Sequence, residues 1–269
     1  MKTLISIRQL PYSEATIIFG GLVAALEQSP ITLLTVIEHE NEQPAAKAEL
    51  QKAETLLQDM FVSSKVRKGN VYEEIIDESV EGNYDIVVLG ARDVQGIFDG
   101  LFGTVTGKVT DHLNTPVLVV KNGHTKLERM LISVGGQKMN EDIVRMGARL
   151  AKGSRAAVTL LYVTNPVPTM YTGLDAMDES IGEFMETDTP IARYLHWASQ
   201  YLAEMGVDAE LEIVQGVASD EILRKARQGD YNLLVMGARA HMGRLERMLV
   251  DAVTPHVVER SPCPVLVVR

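Results

Sequence analysis

One strand is written twice in this chain: Pro116-Val117-Leu118-Val119-Val120 and, near the other end, Pro264-Val265-Leu266-Val267-Val268. What precedes it is repeated as well, in the same order and at nearly constant offset. Leu4-Ile5-Ser6-Ile7 stands against Leu131-Ile132-Ser133-Val134, and Ile31 to Val36 against Val158 to Val163. Gly69 with Glu74-Ile75 stands against Gly216 with Glu221-Ile222, and Asn83 to Arg92 against Asp230 to Arg239. A repeat of this extent makes the chain one domain duplicated in tandem. Its 269 residues then supply two units of a size that supports one hydrophobic core each.

Within each unit, short continuous apolar runs alternate with segments of longer period. Such runs suit parallel strands covered on both faces. The stretch Ala46 to Phe61 predicts a helix with Ala46, Leu50, Ala53, Leu57 and Met60 on one face, opposite Lys47, Glu54 and Gln58. Strand–helix alternation closing on a fifth strand gives a doubly wound α/β sandwich, whose ligands bind beyond the carboxyl ends of the strands. The polar run Lys121 to Glu128 separates the units, so the expected domains are residues 1–123 and 127–269. The second carries an insertion at about 165–190, rich in proline, glycine, methionine and acids, which reads as a loop or lid.

A formal net charge of −10 argues against a nucleic-acid partner held by broad basic patches. The single cysteine, Cys263, excludes an intramolecular disulfide and a cysteine-rich metal site; between Pro262 and Pro264 at a strand entrance it reads as a buried structural thiol. The opening residues are too short and polar for a signal peptide, and no apolar stretch is long enough to span a membrane. A cytoplasmic protein without membrane insertion is expected.

The residues with chemistry to offer follow the fourth strand. Gly90-Ala91-Arg92-Asp93 leaves it, and after nine further residues Gly103-Thr104-Val105-Thr106 opens the next helix. Glycine at a strand end lets the backbone approach a ligand, and Gly-Thr at a helix start offers free N–H groups, a hydroxyl and the positive end of the helix dipole. The alternative is structural: Thr104 or Thr106 caps the helix.

Together the strand order, the Gly-Ala-Arg turn, the nine-residue spacing to Gly-Thr and the closing PVLVV resemble the universal stress protein family over nearly the whole chain, twice. The resemblance implies two tandem Rossmann-like domains of the adenine nucleotide alpha hydrolase-like type, each with a five-stranded parallel sheet between helices. It also implies pairing of the two domains through their last strands, and a cytoplasmic stress-response or regulatory role without catalytic residues, slow ATP hydrolysis being the minor reading. Some members bind ATP through G-x2-G-x9-G-[S/T]. Carried over, the site in the first unit is Val36, Leu89, Gly90, Arg92, Asp93, Gly103, Thr104, Val105 and Thr106, for ATP or AMP with Mg²⁺. Two positions depart from the pattern. Asp93 replaces the second glycine, so either a cation such as Mg²⁺ bridges it to a phosphate or the site is lost. Arg8 stands in place of an adenine-contacting aspartate and has donors only.

The second unit departs further. Ala240 replaces the second glycine, Asp251-Ala252 stands where Gly103-Thr104 stood, and Gly135 replaces the aspartate. A nucleotide is not expected at its standard site. Other signals fail on spacing: GTVTGK at 103–108 is one residue short of a P-loop, and Ser133 to Gly136 lacks what an ATP-pyrophosphatase loop requires. No histidines have the i, i+4 spacing of a helical metal site; His196 lies beside Trp197 in the helix after the insertion, and His241 reads as a solvated loop residue. Glu73-Glu74 and Asp220-Glu221 read as helix-start acids that compensate the dipole. The competing expectation is a module that binds no nucleotide and docks a protein partner such as a transporter or kinase.

Overall fold

The computed structural model describes residues 1–91, 104–121, 123–135, 140–164, 185–238 and 253–269. The chain divides into two compact units, residues 1–127 with 262–269, and residues 128–261.

Unit 1 holds β1 (Thr3–Ser6), α1 (Glu14–Leu26), β2 (Ile31–Ile37), α2 (Gln43–Thr55), β3 (Val62–Lys68), α3 (Val71–Gly82), β4 (Ile86–Gly90), α4 (Thr104–His112) and β5 (Val117–Val120). The strands run in the order β3-β2-β1-β4-β5 and all pair parallel. The direction of winding reverses between β1 and β4, where Ser6 stands opposite Leu89. The central strands are apolar runs because both faces are covered: Leu4, Ile5, Leu33, Leu34, Val87 and Val88 have no exposed surface.

Unit 2 repeats the scheme with β6 (Arg129–Val134), α5 (Glu141–Ser154), β7 (Ala157–Thr164), α6 (Pro190–Glu204), β8 (Ala209–Gln215), α7 (Ala218–Gln228), β9 (Leu233–Gly237) and α8 (Val253–Arg260). Its strands run β9-β6-β7-β8, all parallel. The fifth strand of the second repeat, β10 (Val265–Val268), belongs to unit 1, where it pairs antiparallel with β5. Val265 faces Val119, Leu266 faces Leu118 and Val267 faces Val117. The twice-written strand therefore meets its own copy, as the resemblance implied. Every residue of both strands is buried, and Cys263 just before β10 is 1% exposed.

Repetition extends to the backbone. Gln28 and Arg155 close α1 and α5 in the left-handed region at φ 51° and 58°, and Asn83 and Asp230 do so after α3 and α7 at 50° and 49°. The Asp85 carboxylate accepts from Lys2 N at 2.6 Å, and the Asn232 carbonyl oxygen accepts from Arg129 N at 2.9 Å. Helix starts follow local chemistry: Asn70 accepts from Tyr72 N, Asn140 from Asp142 N and Thr189 from Ala192 N. Glu73-Glu74 and Asp220-Glu221 lie in the first turns of α3 and α7, as expected.

One boundary differs from expectation. α2 ends at Thr55, not at Phe61. Ala46, Leu50, Ala53 and Leu57 face the core as the period requires, but the chain leaves the helix through turns and Phe61 is 88% exposed at the entrance to β3. The bulk of the insertion, 165–184, lies outside the described residues, and 185–190 leads into α6.

Candidate functional site

In unit 1 the carboxyl ends of β1, β2 and β4 converge on one crevice, set by the switch in strand order. Past β1, Ile7 N donates to Leu34 O at 2.9 Å, and the Thr35 hydroxyl donates to Ile7 O at 3.3 Å. Arg8 follows, exposed, its N–H bound to Ser13 Oγ at 3.0 Å. Ser13 precedes α1 but spends its oxygen on this loop rather than on a helix N–H. Leu10 N donates to Glu49 Oε2 at 3.0 Å, which ties the loop to α2. The Lys52 ammonium at 2.7 Å and that N–H hold the Glu49 carboxyl below its ordinary value.

Of the residues read as a binding set, Val36 lies half-buried in the last turn of the β2 register, opposite Arg67, and Leu89 is 3% exposed in β4. Gly90 ends β4 with its surface open. A Cβ at Gly90 would fall 2.6 Å from Thr16 Oγ1 on α1, so glycine is required there by close approach. Thr104 and Val105 form the first turn of α4. Thr106, 8% exposed, donates its hydroxyl to Gly90 O at 3.4 Å and receives Thr110 Oγ1 on its own carbonyl at 2.7 Å. Its hydroxyl thus straps the start of α4 to the end of β4. Arg92, Asp93 and Gly103 lie outside the described residues.

In unit 2 the corresponding strap is Thr254 Oγ1 to Gly237 O at 3.2 Å. Its surroundings differ. A Cβ at Gly237 would fall 2.7 Å from Ile143 Cδ1, where unit 1 has the Thr16 hydroxyl. Gly135, at φ +144°, ends β6 with the Tyr162 ring 3.5 Å from the place of its absent Cβ. Tyr162 stands where unit 1 has Thr35, and burial pushes its phenol pKa up. Gly136, Ala240, His241, Asp251 and Ala252 lie outside the described residues. His196 is exposed on α6, its ring 2.8 Å from Met185 O.

Sequence reading passed over Thr16, Thr35, Ser13 and Tyr162. The signal was present in the repeat itself: Thr16 aligns with Ile143 and Thr35 with Tyr162 at the offset that aligns the strands, so they are crevice positions where the halves disagree. Among the described residues, no group of three or more His, Cys, Asp or Glu converges on a metal, and no helix is long and apolar enough to cross a membrane.

Fold and crevice together define a tandem Rossmann-like α/β protein with one switch-point crevice in each repeat. The chain belongs to the universal stress protein family, whose sequence model matches residues 9–121 and again 126–269. A universal stress protein of Methanocaldococcus jannaschii is 28% identical over 151 residues, covering 56% of this chain and 87% of its own. One from Mycolicibacterium smegmatis is 23% identical across 96% of this chain and 93% of its own, so its likeness runs through both repeats. Among solved structures, a universal stress protein from Archaeoglobus fulgidus aligns with a TM-score of 0.72 at 18% identity, covering 99% of this chain and 96% of that one. That similarity is one of fold.

Proposed function

We propose that the protein is a cytoplasmic stress-response regulator in which the first repeat, 1–123, holds an adenine nucleotide and the second, 127–269, serves as its built-in partner. The observation that carries this reading is the contrast at the two crevices. Around the ends of β1 and β4, unit 1 sets the Thr16 and Thr35 hydroxyls, whereas unit 2 sets Ile143 and the Tyr162 ring beside Gly135; the Thr106 strap recurs in unit 2 as Thr254. A polar ligand keeps hydrogen-bond partners in the first and loses them in the second. The ligand class is ATP or AMP, with its phosphates toward Gly103-Thr104 at the start of α4 and its base toward Val36 and Leu89. Mg²⁺ would arrive with the phosphates and offset the carboxylate of Asp93. No residue is assigned a catalytic role.

Equilibrium dialysis with labelled ATP and magnesium tests the reading. Uptake of one nucleotide per chain is expected. Thr16→Ile, which installs the residue that unit 2 carries, is expected to weaken binding by about tenfold or more, roughly 1.4 kcal/mol. Absence of uptake by the parent protein removes the nucleotide from the proposal.

A second reading, a module that docks a protein partner without nucleotide, is favoured by Arg8. Arg8 is exposed in the loop that follows β1, and its guanidinium has no lone pair for a base amine. Under that reading Arg8→Glu abolishes partner capture while Thr16→Ile leaves it intact.

A further inference from the structure

The helix α4, whose first turn the nucleotide phosphates would approach, is held at both ends. At the crevice end Thr106 Oγ1 donates to Gly90 O at 3.4 Å, and one turn further on Thr110 Oγ1 donates back to Thr106 O at 2.7 Å. At the far end Leu113 N donates to Val109 O at 3.0 Å, one residue past the helix. Thr110 O lies in that last turn, among the carbonyls that a helix does not satisfy from its own donors. Thr110 is 5% exposed, so its carbonyl needs a partner from the protein. The donor is Arg269 Nη2. A guanidinium suits the place, because it stays charged and a cation at a helix carboxyl end complements the dipole.

The register of β10 explains how Arg269 arrives there. β10 runs antiparallel to β5, with Val265 opposite Val119 and Val267 opposite Val117. Arg269 is therefore carried past the amino end of β5, which is the end that α4 feeds into. From Arg269 three hydrogen bonds lead through α4 to the strand-end glycine: to Thr110 O, from Thr110 Oγ1 to Thr106 O, and from Thr106 Oγ1 to Gly90 O. The second repeat cannot form the middle bond. Val258 stands there where unit 1 has Thr110, although Thr254 keeps the strap to Gly237. The place of Arg269 is taken in the first repeat by Lys121. At nine residues, α4 spans about 13 Å and is too short to hold its form without tertiary contacts. Its placement depends on these anchors together with the buried Val109.

We propose that Arg269 is a positioning residue for the crevice of the first repeat: by holding the carboxyl end of α4, it keeps the amino end set against Gly90 for the nucleotide. The proposal rests on the nucleotide reading above and gives the last strand of the second repeat a part in binding. Arg269 acts through α4 and touches no ligand.

Two measurements on the full chain test it. Without nucleotide, Arg269→Ala is expected to speed hydrogen exchange in residues 104–112 by about fivefold or more, with β1 and β2 unchanged. In equilibrium dialysis with labelled ATP and magnesium, the same variant is expected to bind about threefold or more weakly. Arg269→Lys keeps a charged donor, the one the first repeat carries at this place, and is expected to restore both readouts. Parent-like exchange of α4 in Arg269→Ala overturns the proposal, and so does faster exchange spread evenly over unit 1, which would make Arg269 a general stabiliser. A loosened α4 with parent-like ATP uptake overturns it as well. A lysine that behaves as alanine overturns the role of the charged donor. Absence of uptake by the parent protein is a different failure: it removes the nucleotide reading, while exchange in residues 104–112 still decides whether Arg269 sets the helix.

Discussion

The two repeats agree where the fold needs them to and disagree where a ligand would touch them. Both strap the helix after the fourth strand to the strand-end glycine through a threonine hydroxyl, Thr106 to Gly90 and Thr254 to Gly237. Both stack a tyrosine over a glycine after the third helix. At the crevice the chemistry parts: Thr16, Thr35 and Arg8 in unit 1 against Ile143, Tyr162 and Gly135 in unit 2. The exchange at the strand end is coupled. Removing the side chain at Gly135 makes room for the Tyr162 ring, whereas unit 1 keeps Arg8 and uses the small Thr35 to bind Ile7 O. The difference teaches that duplication preserved the framework and released one crevice from the demand for polar groups.

The largest effect is expected at the strand that is written twice. Leu266 has no exposed surface and lies opposite Leu118. Leu266→Ala is expected to cost about 3 kcal/mol, from lost burial and the cavity left behind. Because β10 pairs with β5, hydrogen exchange should accelerate at residues 117–120. Unchanged protection there would break the expected coupling of the two copies.

Next comes the outer strand. Glu78 accepts from Lys65 Nζ, from Arg67 Nη1 at 3.0 Å and from Tyr84 Oη at 2.8 Å. Burial alone would raise its pKa, but Lys65, Tyr84 and Arg67 together hold it below the ordinary carboxylate value. Arg67 also binds Glu74 and Glu81, and those hydrogen bonds raise its own pKa. Arg67→Ala is expected to destabilise unit 1 by about 2 kcal/mol, since a buried carboxylate loses a partner while Lys65 and Tyr84 remain. Lys225→Ala in unit 2, whose pair is partly exposed and lacks the other members, should cost about 1 kcal/mol or less. The pH dependence follows from the depressed carboxyl. Its stabilisation is complete above the unfolded pKa and is lost as pH falls through the lower folded value. In Glu78→Gln that acid-side loss should shrink; urea midpoints measured from pH 6 to pH 3 check it.

These two predictions rest on features of unequal legibility. Apolar runs and repeat spacing made the strands and their duplication readable, because continuous burial leaves a one-dimensional trace, whereas the pairing of the VLVV segments was implied by the resemblance to the family. The end of α2 was not readable: Leu57 and Met60 continue the helical period, and only tertiary packing moves the chain into turns before Phe61. The ion cluster escaped because periodicity weighs apolar residues, whereas Lys65 and Glu78 meet across thirteen residues of intervening strand, turn and helix. At the crevice Gly90 and Thr106 were found from local spacing. Thr16 lies seventy-four residues from Gly90 in the chain, and only the fold brings them together.

A smaller effect separates the helical faces. In unit 2, α6 stacks Tyr194, Trp197 and Tyr201, with ring centroids 5.6 Å apart, and Arg145 of α5 lies 5.4 Å from the Trp197 centroid and 5.1 Å from that of Tyr201. On α2 the same outward face carries Glu49, Lys52 and Leu56. Arg145→Ala is expected to cost about 1 kcal/mol, since the guanidinium rests on rings partly shielded from water. Trp197 is the only tryptophan of the chain, so its emission reports on unit 2. A red shift is expected, with no change in protection of unit 1.

The smallest effect is the most discriminating, because it should be equal in both repeats by one measure and unequal by another. Thr106→Val and Thr254→Val each remove a hydroxyl bonded at 3.4 or 3.2 Å to the carbonyl of a strand-end glycine, while keeping the branched shape. Bonds this long are worth about 0.5 kcal/mol, so each variant should lower the urea midpoint slightly and alike. If the straps are only structural, nucleotide uptake follows stability and neither substitution matters to it. If unit 1 holds the nucleotide, Thr106→Val weakens uptake and Thr254→Val leaves it unchanged. Equal uptake in the two variants, with equal midpoints, would reduce Thr106 to a cap and leave Thr16 and Thr35 as the crevice's distinguishing hydroxyls.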